Sequence, residues 1–268
     1  MKKITILLLI IWGQSFSQID TIAEHITLKK LKEHIMILAS DSLEGREVGQ
    51  PGEKKAADYM SNYFKKIGVP PYKDSTYYQT IPLQKRTLES ASINVGGTQY
   101  EFAKDFYTYP NFSQKKIKSK DILFLGYGID TKNYSDYNIN TEGRVIMILN
   151  GEPTDKSGNH LVSGGKERSP ESNWKMKLNK AKEKGVEAVF FITENYASSY
   201  ERAEHKVEHP GVSLLQKEEP VPFFYISEEM ARNILGRKKI EKLKNKIQSK
   251  KQPLSKAIKK EVVLETKN

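Results

Sequence analysis

Leu38-Ala39-Ser40-Asp41-Ser42-Leu43-Glu44-Gly45-Arg46, then Glu47-Val48-Gly49-Gln50-Pro51-Gly52, then a run to Gly68: the reading of this chain turns on that stretch. From Glu53 to Ile67, the residues Ala56, Met60, Tyr63, Phe64 and Ile67 recur at three- and four-residue spacing, which predicts a helix with one apolar face. Pro51-Gly52 marks the break before that helix, and Gly68 followed by Pro70-Pro71 stops it. Ahead of it, Asp41, Glu44 and Arg46 fall close together, jointed by Gly45, Gly49 and Gly52. Physically this is a glycine-jointed turn with a carboxylate–guanidinium pair available to lock it. On its own it reads as a structural clasp.

Upstream, Lys2-Lys3 precede an apolar run from Ile4 to Trp12, and small Ser15 and Ser17 stand just before Gln18. A positive start, a short apolar core and a small-residue cleavage site make residues 1–17 a signal peptide, so the protein is expected to be exported, periplasmic or secreted. The apolar run is too short to span a bilayer core of roughly 30 Å. A first helix is expected over residues 18 to 40, with Ile26, Leu28, Leu31, Ile35 and Leu38 on one side and His34 beside them as a surface or satisfied core histidine. There are no cysteines, which excludes disulfides and thiolate zinc sites, so a metal would need His, Asp or Glu.

The net charge of +11 is unevenly placed: Arg237 to Lys260 hold 11 Lys or Arg and one acid, Glu241. Export and confinement to one segment argue against nucleic acid, and a solvated helix face is the plain reading. Leu235, Ile240, Leu243 and Ile247 line one face of this Lys-rich helix, a pattern also compatible with an anionic membrane or glycan.

Beyond Pro71, short strands are expected at Tyr77–Leu88, Ser92–Val95 and Gln99–Phe102, with Gly96-Gly97 as a hairpin turn. From Asp121 the texture becomes strand and helix. A strand Asp121–Ile129 ends in Gly126-Tyr127-Gly128, too short for a phosphate loop. Gly143–Leu149 is a buried strand, Pro153–Pro170 an exposed mobile loop, and Trp174–Lys184 a helix with Met176, Leu178 and Ala181 inward and Gly185 at its end. Val186–Ile192 and Val221–Ser227 are further strands, and Ser227 caps a helix from Glu228 to Leu235.

The stretch from Leu38 to Gly68, with its L-A-S-D-x-L-E-G-R loop, G-x-x-G turn, Ala56-Ala57-Asp58-Tyr59 and the Phe64–Gly68 ending, resembles the N-terminal segment of secreted zinc aminopeptidases, the relatives of aminopeptidase Y, leucyl aminopeptidase and glutamate carboxypeptidase II. The G-x-V-x-x-I-L strand from Gly143, the K-A-x-x-x-G-V-x-A-V run from Lys180 and the I-S-x-x-x-A piece from Ile226 resemble the protease-associated domain inserted in that family. The resemblance implies an α+β fold: a helical N-terminal segment over 18–110, a sandwich- or barrel-type protease-associated domain with flanking helices over 111–235, and a basic helix and strand over 236–268 leading toward a catalytic domain. That segment supports the catalytic domain without supplying metal ligands, and the inserted domain restricts access to the active site.

The family's reaction needs two zinc ions on His and carboxylates, with a Glu taking a proton from a bridging water. None of His25, His34, His160, His205 and His209 begins an H-x-D, and Glu218-Glu219 and Glu228-Glu229 stand without metal partners. Zinc is therefore expected only if a catalytic domain is supplied, and the chain is expected to be inactive alone. His205-Lys206-Val207-Glu208-His209 is formally H-x-x-E-H, but it is read as a loop and an adventitious binder at most. Expected partners are a catalytic domain or a peptide. The apolar face of the basic helix and the strand Glu261–Glu265 are expected to lack a partner within the chain, favouring self-association. A stand-alone peptide- or polymer-binding module is the alternative reading.

Overall fold

The computed structural model describes residues 27–72, 75–236 and 239–268. The expected signal peptide, the first part of the 18–40 helix and His25 lie outside the described residues. No helix among the described residues is long and apolar enough to cross a membrane. The chain forms two compact units, dividing between Ile81 and Pro82.

The first unit holds α1 (Leu28–Leu38), a tight 3-10 turn over Asp41–Arg46 and α2 (Pro51–Lys66). Thr27 caps α1 by accepting from the Lys30 amide at 3.3 Å. The turn is sharp because Glu44, Gly45 and Arg46 all take positive φ, at 50°, 71° and 59°. Leu43 is its buried side chain and sits against the start of α2. That approach explains Gly52: a Cβ there would stand 2.0 Å from the Leu43 carbonyl oxygen, so only glycine lets α2 begin at this place.

The second unit contains the strands that the apolar runs foretold, trimmed by backbone chemistry, together with others. Its strands are β1 (Leu83–Gln84), β2 (Ser90–Val95), β3 (Thr98–Tyr100), β4 (Phe106–Tyr107), β5 (Lys115–Ser119), β6 (Ile122–Leu125), β7 (Val145–Leu149), β8 (Ala188–Thr193), β9 (Ser213–Leu214), β10 (Phe223–Ser227), β11 (Ser255–Ile258) and β12 (Val262–Lys267). No run announces β4, β5, β9 or β11. Its helices are α3 (Trp174–Glu183), α4 (Tyr196–Glu208), α5 (Glu228–Leu235) and α6 (Lys239–Lys250). A six-stranded sheet runs β11-β6-β7-β8-β10-β4, with β6, β7, β8 and β10 parallel and the two outer strands antiparallel. A four-stranded antiparallel sheet runs β3-β2-β12-β5, and β1 pairs β9.

The parallel strands are apolar on both faces, as the unbroken runs Val145–Leu149 and Ala188–Thr193 require. Leu123, Ile146, Val189 and Phe223 face α3, with Leu178 and Ala181 packed on them. Ile122, Met147, Phe190 and Phe224 face the other way, onto Ile93, Ile117 and Leu264 of the second sheet and Met230 and Ile234 of α5. The result is mixed α+β, two sheets enclosing one core with helices outside, in keeping with the expected fold class.

Several expectations need correction. Of the strand Tyr77–Leu88 only Leu83–Gln84 forms, since Pro82 has no N–H to donate to a ladder. The strand Asp121–Ile129 stops at Leu125, where Gly126 and Gly128 turn the chain at φ 47° and 66°. Met176 is exposed and Lys177 is buried in its place, because Lys177 stands four residues before Ala181 on the inner face. The 153–170 loop is closed on itself: Asp155 Oδ1 accepts from the Ser157 and Asn159 amides, both at 2.9 Å, and Thr154 bridges to His160. The C-terminal strand expected to lack a partner is β12, paired on one side with β2 and on the other with β5. Ile240 and Ile247 of α6 are likewise buried.

Replacing Gly52 with Ala should force the turn away from α2, an overpacking cost of about 1–3 kcal/mol. Hydrogen exchange should show it as lost protection of the turn and of the first turn of α2, while the amides of β7 and β8 are unchanged.

Candidate functional site

The carboxyl ends of β6, β7 and β8 open on a crevice of about 250 Å³, formed by Tyr127, by Leu149–Gly151 and by Ile192–Glu194. Open parallel sheets receive ligands outside the carboxyl ends of their strands. Arg168 from the loop after β7, Arg202 from α4 and Lys244 from α6 bring cations to it. Lys244 Nζ stands 2.5 Å from Glu194 Oε1 and 3.6 Å from Glu228 Oε1. Burial works against its charge, but the hydrogen bond to Glu194 and the nearby carboxylates outweigh it and raise its pKa. Arg168 and Arg202 make no ion pair or side-chain hydrogen bond among the described residues. Lys244 is thus already neutralised, and it is the two guanidiniums without ion pairs that suit the crevice to a carboxylate or another compact anion.

Two buried ionisable groups, Lys177 and Asp136, hold the backbone that lines the crevice. Lys177 Nζ donates to the Leu149 and Gly151 carbonyls at 3.1 and 2.5 Å, tying down the end of β7. Burial lowers its pKa to about 7, against the pull of Asp136 and Glu152. Asp136 is fully buried and accepts from the Tyr127 and Ile129 amides at 3.0 and 3.2 Å and from the Tyr134 hydroxyl at 3.2 Å. Burial raises its pKa to about 7, though the Ile129 and Tyr127 amides oppose the shift. Gly126-Tyr127-Gly128 is therefore a carboxylate-clasped turn: a Cβ on Gly126 would meet Asp136 Oδ1 at 2.5 Å. Beneath the loop, Glu152 accepts from the Ser169 amide at 2.7 Å and faces His160 Nδ1 at 3.4 Å.

The residues singled out from the sequence lie in the first unit and form no such site. Glu44 is held by Lys55 at 2.6 Å rather than by Arg46, and Lys55 also reaches the Ser42 carbonyl at 3.2 Å. The positive φ of Arg46 ends the turn, and one turn along α2 Lys55 is the cation in reach. Asp41 begins the turn, Gly45 lies inside it, and the Gly49 amide donates to Glu53 at 2.5 Å. His34 meets the Tyr59 hydroxyl at 2.5 Å and stacks edge-on to Tyr63, a satisfied histidine. His205 and His209 stand at the end of α4, a helix and not a loop, with ring centroids 5.3 Å apart. Glu219 serves Ser113 and Arg86, and Glu218 serves Lys182. No group of three or more His, Asp or Glu among the described residues has the geometry to hold a metal ion.

The crevice residues went unread in the sequence. Lys177 has inward helical spacing, but a lysine there is ordinarily read as surface, and Arg168, Arg202 and Lys244 are too far apart in sequence to form a motif.

No family model matches this chain, and no curated protein does. Among solved structures it is similar to an aminopeptidase from Aneurinibacillus sp. strain AM-1, at 14% identity and TM-score 0.40, over 88% of this chain and 42% of that one. It is also similar to a peptidase M28 precursor from Shewanella amazonensis SB2B, at 11% identity and TM-score 0.35, over 87% of this chain and 48% of that one. This chain thus spans less than half the length of either.

Lys177→Met keeps the apolar stem but leaves the Leu149 and Gly151 carbonyls without their donor, and should cost about 2 kcal/mol in urea unfolding. Asp136 gives a pH signature. Its folded-state pKa is raised above the unfolded value, so its contribution is complete below about pH 4 and lost as pH rises through about 7. The stability difference between the wild type and Asp136→Asn should therefore shrink steadily between pH 4 and 7 in urea titrations, and a flat difference would contradict the assignment.

Proposed function

We propose that this chain is the non-catalytic portion of an exported, zinc-dependent aminopeptidase-like protein. In this reading the first unit braces a catalytic domain, and the second, of protease-associated type, shapes the access of peptide to it. The observation that carries the reading is the character of α1. It buries none of its residues, and Leu28, Ile35 and Met36 are 83%, 61% and 65% exposed. An amphipathic helix with its apolar side uncovered is built to lie against a further surface. The Leu38–Gly68 pattern supports the same reading, because in the resembled family this segment packs on the catalytic core. The chemistry of the crevice is compatible with it too, since guanidiniums bind and orient a peptide carboxylate without breaking bonds. If a catalytic part is supplied, the reaction is two-zinc hydrolysis of an N-terminal peptide bond, with this chain contributing access and no reacting group.

The second reading is a stand-alone extracytoplasmic module that binds peptides or polymers. The crevice itself favours it, being a concave cationic site at the edge where parallel sheets receive ligands.

The two separate by mass and binding. Under the first reading, the native exported protein has an intact or complexed mass well above that of Gln18–Asn268, and the purified chain hydrolyses no aminoacyl anilide with zinc added. A native mass equal to Gln18–Asn268, with saturable peptide binding and no turnover, would select the second. Zinc-dependent hydrolysis by the purified chain would sink both and return attention to His205 and His209.

A further inference from the structure

Away from the crevice, the end of α5, one side of α6 and strand β11 enclose a cleft of about 480 Å³. Its floor is apolar: Ile234 and Leu235 are buried, and Leu243 and Ile258 are partly buried against the core. Its rim is formed by Lys242, Lys246, Lys256, Lys259 and Lys260, and no carboxylate lines it. Lys260 donates to the Asn233 carbonyl at 2.9 Å. The other four make no ion pair or side-chain hydrogen bond among the described residues. Elsewhere in this unit surface lysines are commonly neutralised: Lys118 by Glu261, Lys182 by Glu218, Lys184 by Asp130 and Lys244 by Glu194. A rim of five like charges around an apolar floor repels itself when empty, and the repulsion is relieved by a partner that is both acidic and apolar.

The backbone narrows the choice further. β11 is an outer strand of the six-stranded sheet, pairing among the described residues with β6 alone. Lys256 and Ile258 stand opposite Phe124 and Ile122, so they point to the face where the cleft lies. An outer strand beside an apolar groove is the geometry of strand addition, in which main-chain hydrogen bonds supply affinity and alternate side chains supply specificity. A membrane surface would use the lysines but neither the concave floor nor the strand edge.

We infer that this cleft binds an extended acidic peptide segment, adding it to β11 with its apolar side chains on Leu243 and Ile258 and its carboxylates on the lysine rim. The inference is independent of the proposed aminopeptidase relation, since it uses no residue of the crevice or of the first unit.

The test uses the whole chain and a fluorescein-labelled peptide of alternating Glu and Val, followed by anisotropy. Saturable binding is expected, weakened about tenfold or more by the double variant Lys242→Glu/Lys246→Glu and weakened again by Leu243→Asp. The same peptide with alternate backbone amides methylated should bind no better than the Lys242→Glu/Lys246→Glu variant binds the unmethylated one, because it cannot complete the ladder. Circular dichroism of each variant confirms that it folds. Equal affinity for the methylated peptide or for poly-Glu would overturn the inference in favour of simple charge attraction. Preference for phosphatidylglycerol vesicles over the peptide would overturn it in favour of a membrane surface, and absence of saturable binding would overturn it outright.

Discussion

A parallel sheet that is apolar on both faces has to be covered on both, and most of the second unit follows from that requirement. β7 and β8 have no exposed side at all. Helices α3 and α4, supplied by the connections between successive parallel strands, cover one face. The other face cannot be covered by the same connections and takes the four-stranded sheet and α5 instead. That second sheet is completed only by β12, from the far end of the chain, seated between β2 and β5. Residues 90–119 and 262–267 therefore belong to one layer, although more than a hundred residues separate them.

Covering both faces leaves only the strand ends open, and there the unit concentrates its charge. The segments after β6, β7 and β8 leave a crevice there, lined by Tyr127, by Leu149–Gly151 and by Glu194 with the cations Arg168, Arg202 and Lys244. Lys177 reaches into the interior, where it donates to the carbonyls of Leu149 and Gly151 at the end of β7. Asp136 does the complementary work at the end of β6, accepting from amides that a tight glycine turn leaves without partners. Both groups are held well inside the protein with their pKa values displaced by burial.

The first unit has a different economy. Its turn is held by the contact of Leu43 with Gly52 and by Lys55 bridging to Glu44, and its helices share few buried side chains. The unit specifies a local shape with little core of its own.

What could be read in the sequence was what is local. Helical periodicity located α2, α3 and α5, Ser227 was legible as a cap and does accept from the Met230 amide at 3.1 Å, and the apolar runs located β7, β8 and β10. Gly52 was recognised as part of a clasp, though the reason for it, a carbonyl 2.0 Å from the absent Cβ, belongs to packing. Residue type misled where packing overrode it: Lys177 took the inward place assigned to Met176, and Lys55 displaced Arg46 as the partner of Glu44. The H-x-x-E-H run was read as a loop, yet α4 extends through Glu208. The sequence by itself determined α2, α3, α5, the apolar strands β7, β8 and β10 and the mixed α+β class, because burial patterns repeat over a few residues. Tertiary structure alone decided the partners of β12, the burial of Lys177, the cationic crevice and the lysine-rimmed cleft, since each joins residues far apart in the chain through contacts that no local spacing encodes.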